Sequence, residues 1–207
     1  MTISYDLTTS ASILDRRDII IYDCLQDTSV NSWTIYDDID LIALSNDGRI
    51  LATRYNDTPS LVSLWNTRER EIIINIRTEK YEDYNEITSF IFFPDGKNLV
   101  TGDNKGFVTL WNIDNGEIID QKSHGANDDY TTIKSLSVSL DGNTLVSGDD
   151  NGIIKVWNVD CENQKLKLKQ KQRIKNREEV EYMAISSDGQ TLLSYSPYNN
   201  IRVWNLA

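Results

Sequence analysis

Tryptophan stands at Trp65, Trp111, Trp157 and Trp204, at spacings of 46, 46 and 47 residues. A period of that length governs what the chain can become, because a repeated sequence folds as repeated units. An Asp-Gly pair precedes each tryptophan: Asp47–Gly48, Asp95–Gly96, Asp141–Gly142 and Asp188–Gly189. In the last three repeats the Asp lies 16 residues before its Trp. In the first it lies 18 before, because TRYNDTPSL carries a two-residue insertion.

Aligning the repeats on that Asp sorts the other residues into columns. Eight before it stand Ile39, Ile87, Ile133 and Val180; five before, Ile42, Phe90, Leu136 and Met183; three before, Leu44, Phe92, Val138 and Ile185. Four after it stand Leu51, Leu99, Leu145 and Leu192, and six after, Thr53, Thr101, Ser147 and Ser194. One residue before each Trp is Leu64, Leu110, Val156 or Val203, and three before is Val62, Val108, Ile154 or Ile201. Between these columns sit the polar Ser63, Thr109, Lys155 and Arg202. Side chains alternate across a strand, so apolar positions two apart share one face. Asp-Gly reaches positive φ readily and marks the hairpin between two such strands.

Each unit therefore predicts strand a, the Asp-Gly turn, strand b, a Gly/Asn/Asp turn, and strand c ending at Trp-Asn. The short β-prone segments EIIINI, GEIIDQ and KLKLKQ supply a fourth strand, d, after the first three tryptophans. A lone sheet of four strands leaves apolar faces open, so the units must stack on one another.

ITSFIFFPDGKNLVTGDNKGFVTLWN (87–112) and IKSLSVSLDGNTLVSGDDNGIIKVWN (133–158) resemble WD-repeat blades from strand a through the terminal Trp, and the resemblance spans residues 37–207. It implies an all-β fold, a β-propeller of four-stranded antiparallel blades. The family's Trp-Asp is Trp-Asn throughout, at Asn66, Asn112, Asn158 and Asn205. Blades of this family often link a turn Asp, a loop His, a strand-b Ser/Thr and the Trp by hydrogen bonds. The Ser/Thr and Trp persist here, and the sole histidine, His124, lies 33 residues before Trp157, within reach of Ser147 and Trp157. At the turn position for the Asp stand Lys105, Asn151 and Tyr198, so complete tetrads are not expected.

Residues 1–36 read as a worn additional blade. DIIIYD (18–23) aligns with strand c, Tyr22 takes the Trp place, and NSWTIY is strand d. Asp6 keeps its spacing to Tyr22, but Leu7 replaces the glycine and strand a runs off the start of the chain. The units are thus 1–36, 37–78, 85–124, 131–172 and 178–207, the first short of strand a and the last short of strand d. About five blades leave two readings open. One is an incomplete ring, self-associating, completed by a second chain, or part of a larger propeller; the other is a five-bladed ring closed by MTISYDL.

Several function classes find little support. A net charge of −11 disfavours nucleic acid and anionic lipid. The exception is KLKLKQKQRIKNR (165–177), a basic stripe that could contact phosphates; its Lys-Leu alternation reads instead as an outer strand with the lysines in water. No apolar run is long enough for a membrane helix, and MTISYDLTTS lacks the features of a secretory signal. The two cysteines, Cys24 and Cys161, make no disulfide framework, so a reducing cytoplasm is expected. GDNKG and GDDNG lack the ligand series of a calcium loop, no Gly-rich phosphate loop is present, and no Ser or Cys sits in a nucleophile elbow. The chain is therefore expected to need no cofactor or metal and to be no enzyme. The rival reading, a propeller enzyme with a central pocket, needs acid/base residues on inner strand a, where the columns are apolar.

The resemblance implies a protein-binding scaffold. In this family partners often dock on the face formed by the starts of strand a and the b–c turns. There the sequence places Asp38, Glu86 and Glu179, then Asp40 and Glu181, with Asp57, Asp103, Asp149 and Asp150 in the turns; Thr132, Thr88 and Lys134 interrupt them. Such carboxylates favour a basic partner.

Overall fold

In the computed structural model the columns become strands, with no helix among the described residues. Those residues are 2–4, 8–35, 37–78, 85–125, 131–162, 165–176, 178–197 and 200–206. The first blade comprises β1 (Thr2–Ile3), β2 (Thr9–Leu14), β3 (Asp18–Asp23) and β4 (Thr28–Thr34). The second comprises β5 (Ile39–Leu44), β6 (Ile50–Tyr55), β7 (Thr58–Asn66) and β8 (Glu71–Arg77). The third has β9 (Ile87–Phe92), β10 (Asn98–Asp103), β11 (Phe107–Asn112) and β12 (Ile118–Ser123). The fourth has β13 (Ile133–Val138), β14 (Thr144–Asp149), β15 (Ile153–Glu162) and β16 (Lys165–Lys175). The fifth has only β17 (Tyr182–Ile185), β18 (Thr191–Ser196) and β19 (Asn200–Asn205). Every sheet is an antiparallel meander in chain order, and the inner strands β1, β5, β9, β13 and β17 follow one another side by side.

The first blade corrects an expectation. Strand a does not run off the chain: Thr2 pairs with Ala11 and Ile3 with Ser10, matching the pairs Ala43–Ala52 and Leu44–Leu51 one blade on. Thr2–Ile3, the strand of that N-terminal segment, therefore begins the first blade and does not close the fifth. The turn residues Asp6 and Leu7, like Tyr198 and Arg177, lie outside the described residues.

The Asp-Gly turns are alike. Gly48, Gly96, Gly142 and Gly189 have φ between 66° and 70°. The Asp accepts the amide two residues on, at Arg49, Lys97, Asn143 and Gln190. In three of the four turns a serine two before the Asp accepts the amide that opens strand b, from Ile50 at Ser45, Thr144 at Ser139 and Thr191 at Ser186, whereas in the third blade, with Phe93 there, Asp95 accepts the Asn98 amide. Ser4 does the same for Thr9, which ties the worn first blade to the others. The two-residue insertion of the second repeat becomes the Asn56–Asp57 tip between the paired Tyr55 and Thr58. After strand c, Asn66 and Asn112 accept two turn amides each, and Asp23 does so in the first blade. The amide oxygens of Asn66 and Asn112 thus do what the Asp23 carboxylate does in the first blade. Asn158 has no turn to cap, because β15 continues to Glu162 and forms a long hairpin with β16.

The second to fifth blades each bury a Leu/Trp face against the previous blade, and the first to fourth each bury a strand-c apolar pair against the next. One core joins Ile19 and Ile21 to Leu51 and Trp65; the next joins Val62 and Leu64 to Leu99 and Trp111. A third joins Val108 and Leu110 to Leu145 and Trp157, and a fourth Ile154 and Val156 to Leu192 and Trp204. Fully burying such an apolar side chain contributes about 1.5–3 kcal/mol. The inner strands are also laced by hydroxyls: Ser135 and Ser137 accept the amides of Met183 and Ile185 in the next blade.

Close approach explains two glycines inside strand b. A Cβ on Gly102 would lie 2.4 Å from Ile133 of the next blade, and one on Gly148 would lie 2.6 Å from Val180. The aligned residue of the second blade is Arg54, whose guanidinium turns aside to Asp40 and the Ile87 carbonyl. In the fifth it is Tyr195, stacked on Tyr182.

Among the described residues no further blade covers the fifth. Its strand-c pair, Ile201 and Val203, is 69% and 68% exposed, whereas the matching Ile154 and Val156 are fully buried. The ring is open in this chain, a partial propeller.

Candidate functional site

Each of the four repeat tryptophans donates its indole N–H to the strand-b hydroxyl that the repeat aligns with it. The distances are 2.9 Å for Trp65 to Thr53, 2.9 Å for Trp111 to Thr101, 2.8 Å for Trp157 to Ser147 and 2.9 Å for Trp204 to Ser194. Trp111 and Trp157 are buried, while Trp65 and Trp204 are partly so. These bonds fix the edge of strand c against strand b and hold the turns that flank them.

The fourth blade adds two members. His124 lies in the loop after β12, with Nδ1 3.0 Å from Asp149 Oδ2 and Nε2 3.1 Å from the Ser147 carbonyl oxygen. The carboxylate comes from Asp149, two residues before Asn151, where the family alignment looks for it. A polar chain therefore runs from Asp149 through His124 to Ser147 and Trp157, in place of the absent tetrad the sequence predicts. Asp149 Oδ1 also accepts the Ile153 amide at 2.6 Å and so closes the b–c turn. Burial alone would raise the pKa of Asp149; the bonds from His124 and the Ile153 amide outweigh it and hold the pKa below the usual carboxylate value.

Asp103 is the same position one blade earlier. Its carboxylate caps the turn through the amides of Lys105 and Phe107, but its side-chain neighbour is Asn85 and not a histidine. Burial dominates there, and its pKa is raised. In the fifth blade the pair becomes Asn176 and Ser196, joined at 2.9 Å.

The predicted acidic face is accordingly divided. Asp103 and Asp149 are buried and face inward, so they leave the candidate partner-binding set. Asp38 is paired with Arg17 and Asp40 with Arg54. Asp150 is half-buried and accepts the Thr131 hydroxyl and the Thr132 amide. Glu86, Glu179 and Asp57 are exposed, and Glu181 is half-buried. Glu86 and Glu179 lie at the entrances of the third and fifth inner strands, Glu181 just before β17, and Asp57 at a b–c tip: one rim of the arc.

The basic stripe folds as an outer strand. Leu168 is buried and Leu166 partly so, while Lys169, Lys171, Arg173 and Lys175 are exposed. Lys155, two before Trp157, is buried over the indole ring, 5.5 Å from its centroid, and donates to the Ser123 carbonyl.

Stacked four-stranded sheets, each stapled by a Trp-to-Ser/Thr bond and turned by Asp-Gly, define a WD-type propeller module. A model of the anaphase-promoting complex subunit 4 WD40 domain matches residues 33–128, and a model of the WD domain, G-beta repeat, matches residues 120–158. Among curated proteins none matches. The chain belongs to the WD-repeat family. Domains of this family generally mediate protein–protein interaction or scaffolding and are typically non-catalytic.

Proposed function

We propose that this chain is a non-catalytic scaffold, a regulatory or assembly module whose acidic rim receives a basic surface of a partner protein. The observation that carries this reading is the set Asp57, Glu86, Glu179 and Glu181, none of which is in an ion pair among the described residues, whereas Arg17 pairs with Asp38 and Arg54 with Asp40. Carboxylates left at one rim steer a cationic partner and fix its register more than they tighten it. Against catalysis stands the use of the sole histidine: His124 is 3% exposed, with both ring nitrogens facing oxygen acceptors. The exposed thiol of Cys24 suits a reducing compartment, the cytoplasm.

The open face of the fifth blade is a second contact surface, and its occupant is another blade-like β-sheet. Leu193, Ile201 and Val203 repeat the positions that the following blade covers four times within this chain, at Ala11, Ile19 and Ile21, at Ala52, Val62 and Leu64, at Val100, Val108 and Leu110, and at Val146, Ile154 and Val156. Capture of partners from native extract, with mass spectrometry, tests the function. Recovery of proteins whose binding fades with salt and with reversal of Glu86 and Glu179 supports the rim; a small-molecule turnover by the purified chain overturns the scaffold.

A further inference from the structure

Asp120 of β12 reaches across to the outermost strand of the fourth blade and accepts the backbone amide of Leu168 at 2.8 Å. Its other oxygen lies 2.9 Å from Lys122 Nζ and 3.6 Å from Lys167 Nζ. Here a carboxylate is held by an edge amide and flanking ammonium groups at once. Burial tends to raise the pKa of Asp120, and the Leu168 amide and the lysines more than reverse that.

Leu168 stands opposite Val159, whose own amide bonds inward to Asn143, so the Leu168 amide leaves the sheet sideways. The alternation repeats along β16. Gln170 stands opposite Trp157 and, beyond the bulge at Lys171, Arg173 opposite Lys155 and Lys175 opposite Ile153. Their amides therefore point off the same edge, and their side chains are exposed. Among the described residues no strand pairs with that edge. β16 runs 11 residues, against 7, 7 and 6 for the outer strands β4, β8 and β12.

The charge on this edge is also unbalanced. Lys155 and Arg173 are directly opposed cations on adjacent strands, an unfavourable pair unless a counter-charge sits nearby. Lys167 and Lys169 have Asp120 and Asp160 beside them. Beyond Lys171 the edge carries Arg173 and Lys175 in a protein of net charge −11.

We propose that the outer edge of β16 from Gln170 to Lys175 receives an extended acidic segment of a partner protein, which adds a strand and sets its carboxylates against Arg173 and Lys175 as Asp120 sets its own against Leu168 and the lysines. Lysines on an edge repel a second basic strand, including a copy of this one, and so leave acidic strands as the admitted class. A nucleic acid would meet the same cations but offers no peptide backbone to pair with the amides. This surface stands on observations separate from those of the acidic rim, and either can fail alone.

The test uses the full chain and a labelled, end-blocked octapeptide of alternating Glu and Val, followed by fluorescence anisotropy. A Lys-Val peptide and an oligouridylate serve as comparisons. The acidic peptide binds, and Arg173→Glu with Lys175→Glu weakens it roughly tenfold. Arg173→Gln with Lys175→Gln, which removes charge without adding any, weakens it less. Amide exchange at Gln170 and Arg173 slows on binding, as a paired strand requires and loose charge attraction does not. Equal binding by the wild-type and reversed chains, preference for oligouridylate, or unchanged exchange at residues 170–175 overturns the proposal.

Discussion

His124 Nδ1 lies 3.0 Å from Asp149 Oδ2, with both side chains enclosed between the third and fourth blades. The contact joins the loop after β12 to the b–c turn of the next blade, so one buried hydrogen bond spans an inter-blade seam. The equivalent seam one blade earlier has Asp103 facing Asn85. Two carboxylates at one structural position thus have opposite shifts, Asp149 lowered and Asp103 raised.

That contrast sets the pH dependence. A lowered folded pKa means that Asp149 contributes stability above its unfolded value, lost as pH falls through the folded one. Asp149→Asn should cost about 1–3 kcal/mol near neutral pH, and the deficit should shrink on acidification. Asp103 has the reverse sign: its charge costs stability once pH rises through the window between the unfolded and raised folded values. Asp103→Asn should be neutral or stabilising near neutral pH. Urea midpoints of both variants across the acid range check this; parallel curves would refute it.

Trp157→Ala should lower stability by about 3–5 kcal/mol, since the ring fills the seam beside Leu145 and Val108. Trp157→Phe keeps most of the packing but leaves the Ser147 hydroxyl without its indole donor, at about 1–3 kcal/mol. Trp204→Ala should cost less than Trp157→Ala, because Trp204 is only partly buried. Chemical denaturation ranks the three.

Gly148→Ala places a methyl against Val180, and overpacking of this kind costs about 1–3 kcal/mol. Val180→Ala opens that space, so the double variant should recover part of the loss. A double-mutant cycle reads the coupling directly; additive losses would mean the blades approach less closely than described.

At the rim, Glu86→Lys with Glu179→Lys should slow association with a basic partner most at low salt, since exposed charges act through long-range steering. The dissociation rate should change less. Stopped-flow measurements over a salt series separate the two rates.

The open fifth blade should make the chain self-associate as concentration rises, because contiguous exposed apolar surface seeks cover. Ile201→Ser with Val203→Ser should suppress the association without loss of fold. Light scattering decides it: a wild-type chain that stays monomeric at tens of micromolar, near the limit of weak association, contradicts the proposal.

The sequence carried the blade pattern because the fold repeats one physical solution, and each column of the alignment answers to one burial position. Leu51, Leu99, Leu145 and Leu192 are fully buried, as their shared column requires. Strand a of the first blade was hidden because only Thr2 and Ile3 represent it; the serine two before the Asp, at Ser4, Ser45, Ser139 and Ser186, is the signal that reveals it. The acidic set was legible as composition but not as surface. Whether Asp103 and Asp149 turn inward depends on a turn three residues long and on a loop residue well upstream, Asn85 for the one and His124 for the other, neither of which the local pattern encodes. Arg17 and Arg54 likewise reach their aspartates across strands.

The four seams between blades are joined in series, with no fifth seam linking the last blade to the first among the described residues. A closed ring must break two seams to release any blade, whereas an open series can release an end blade by breaking one. Unfolding here is therefore graded from the outside inward, as in a linear array of nearest-neighbour units. The third blade, farthest from either end, is the last to give way, while the first and fifth, each joined at one seam, sample their detached states most often.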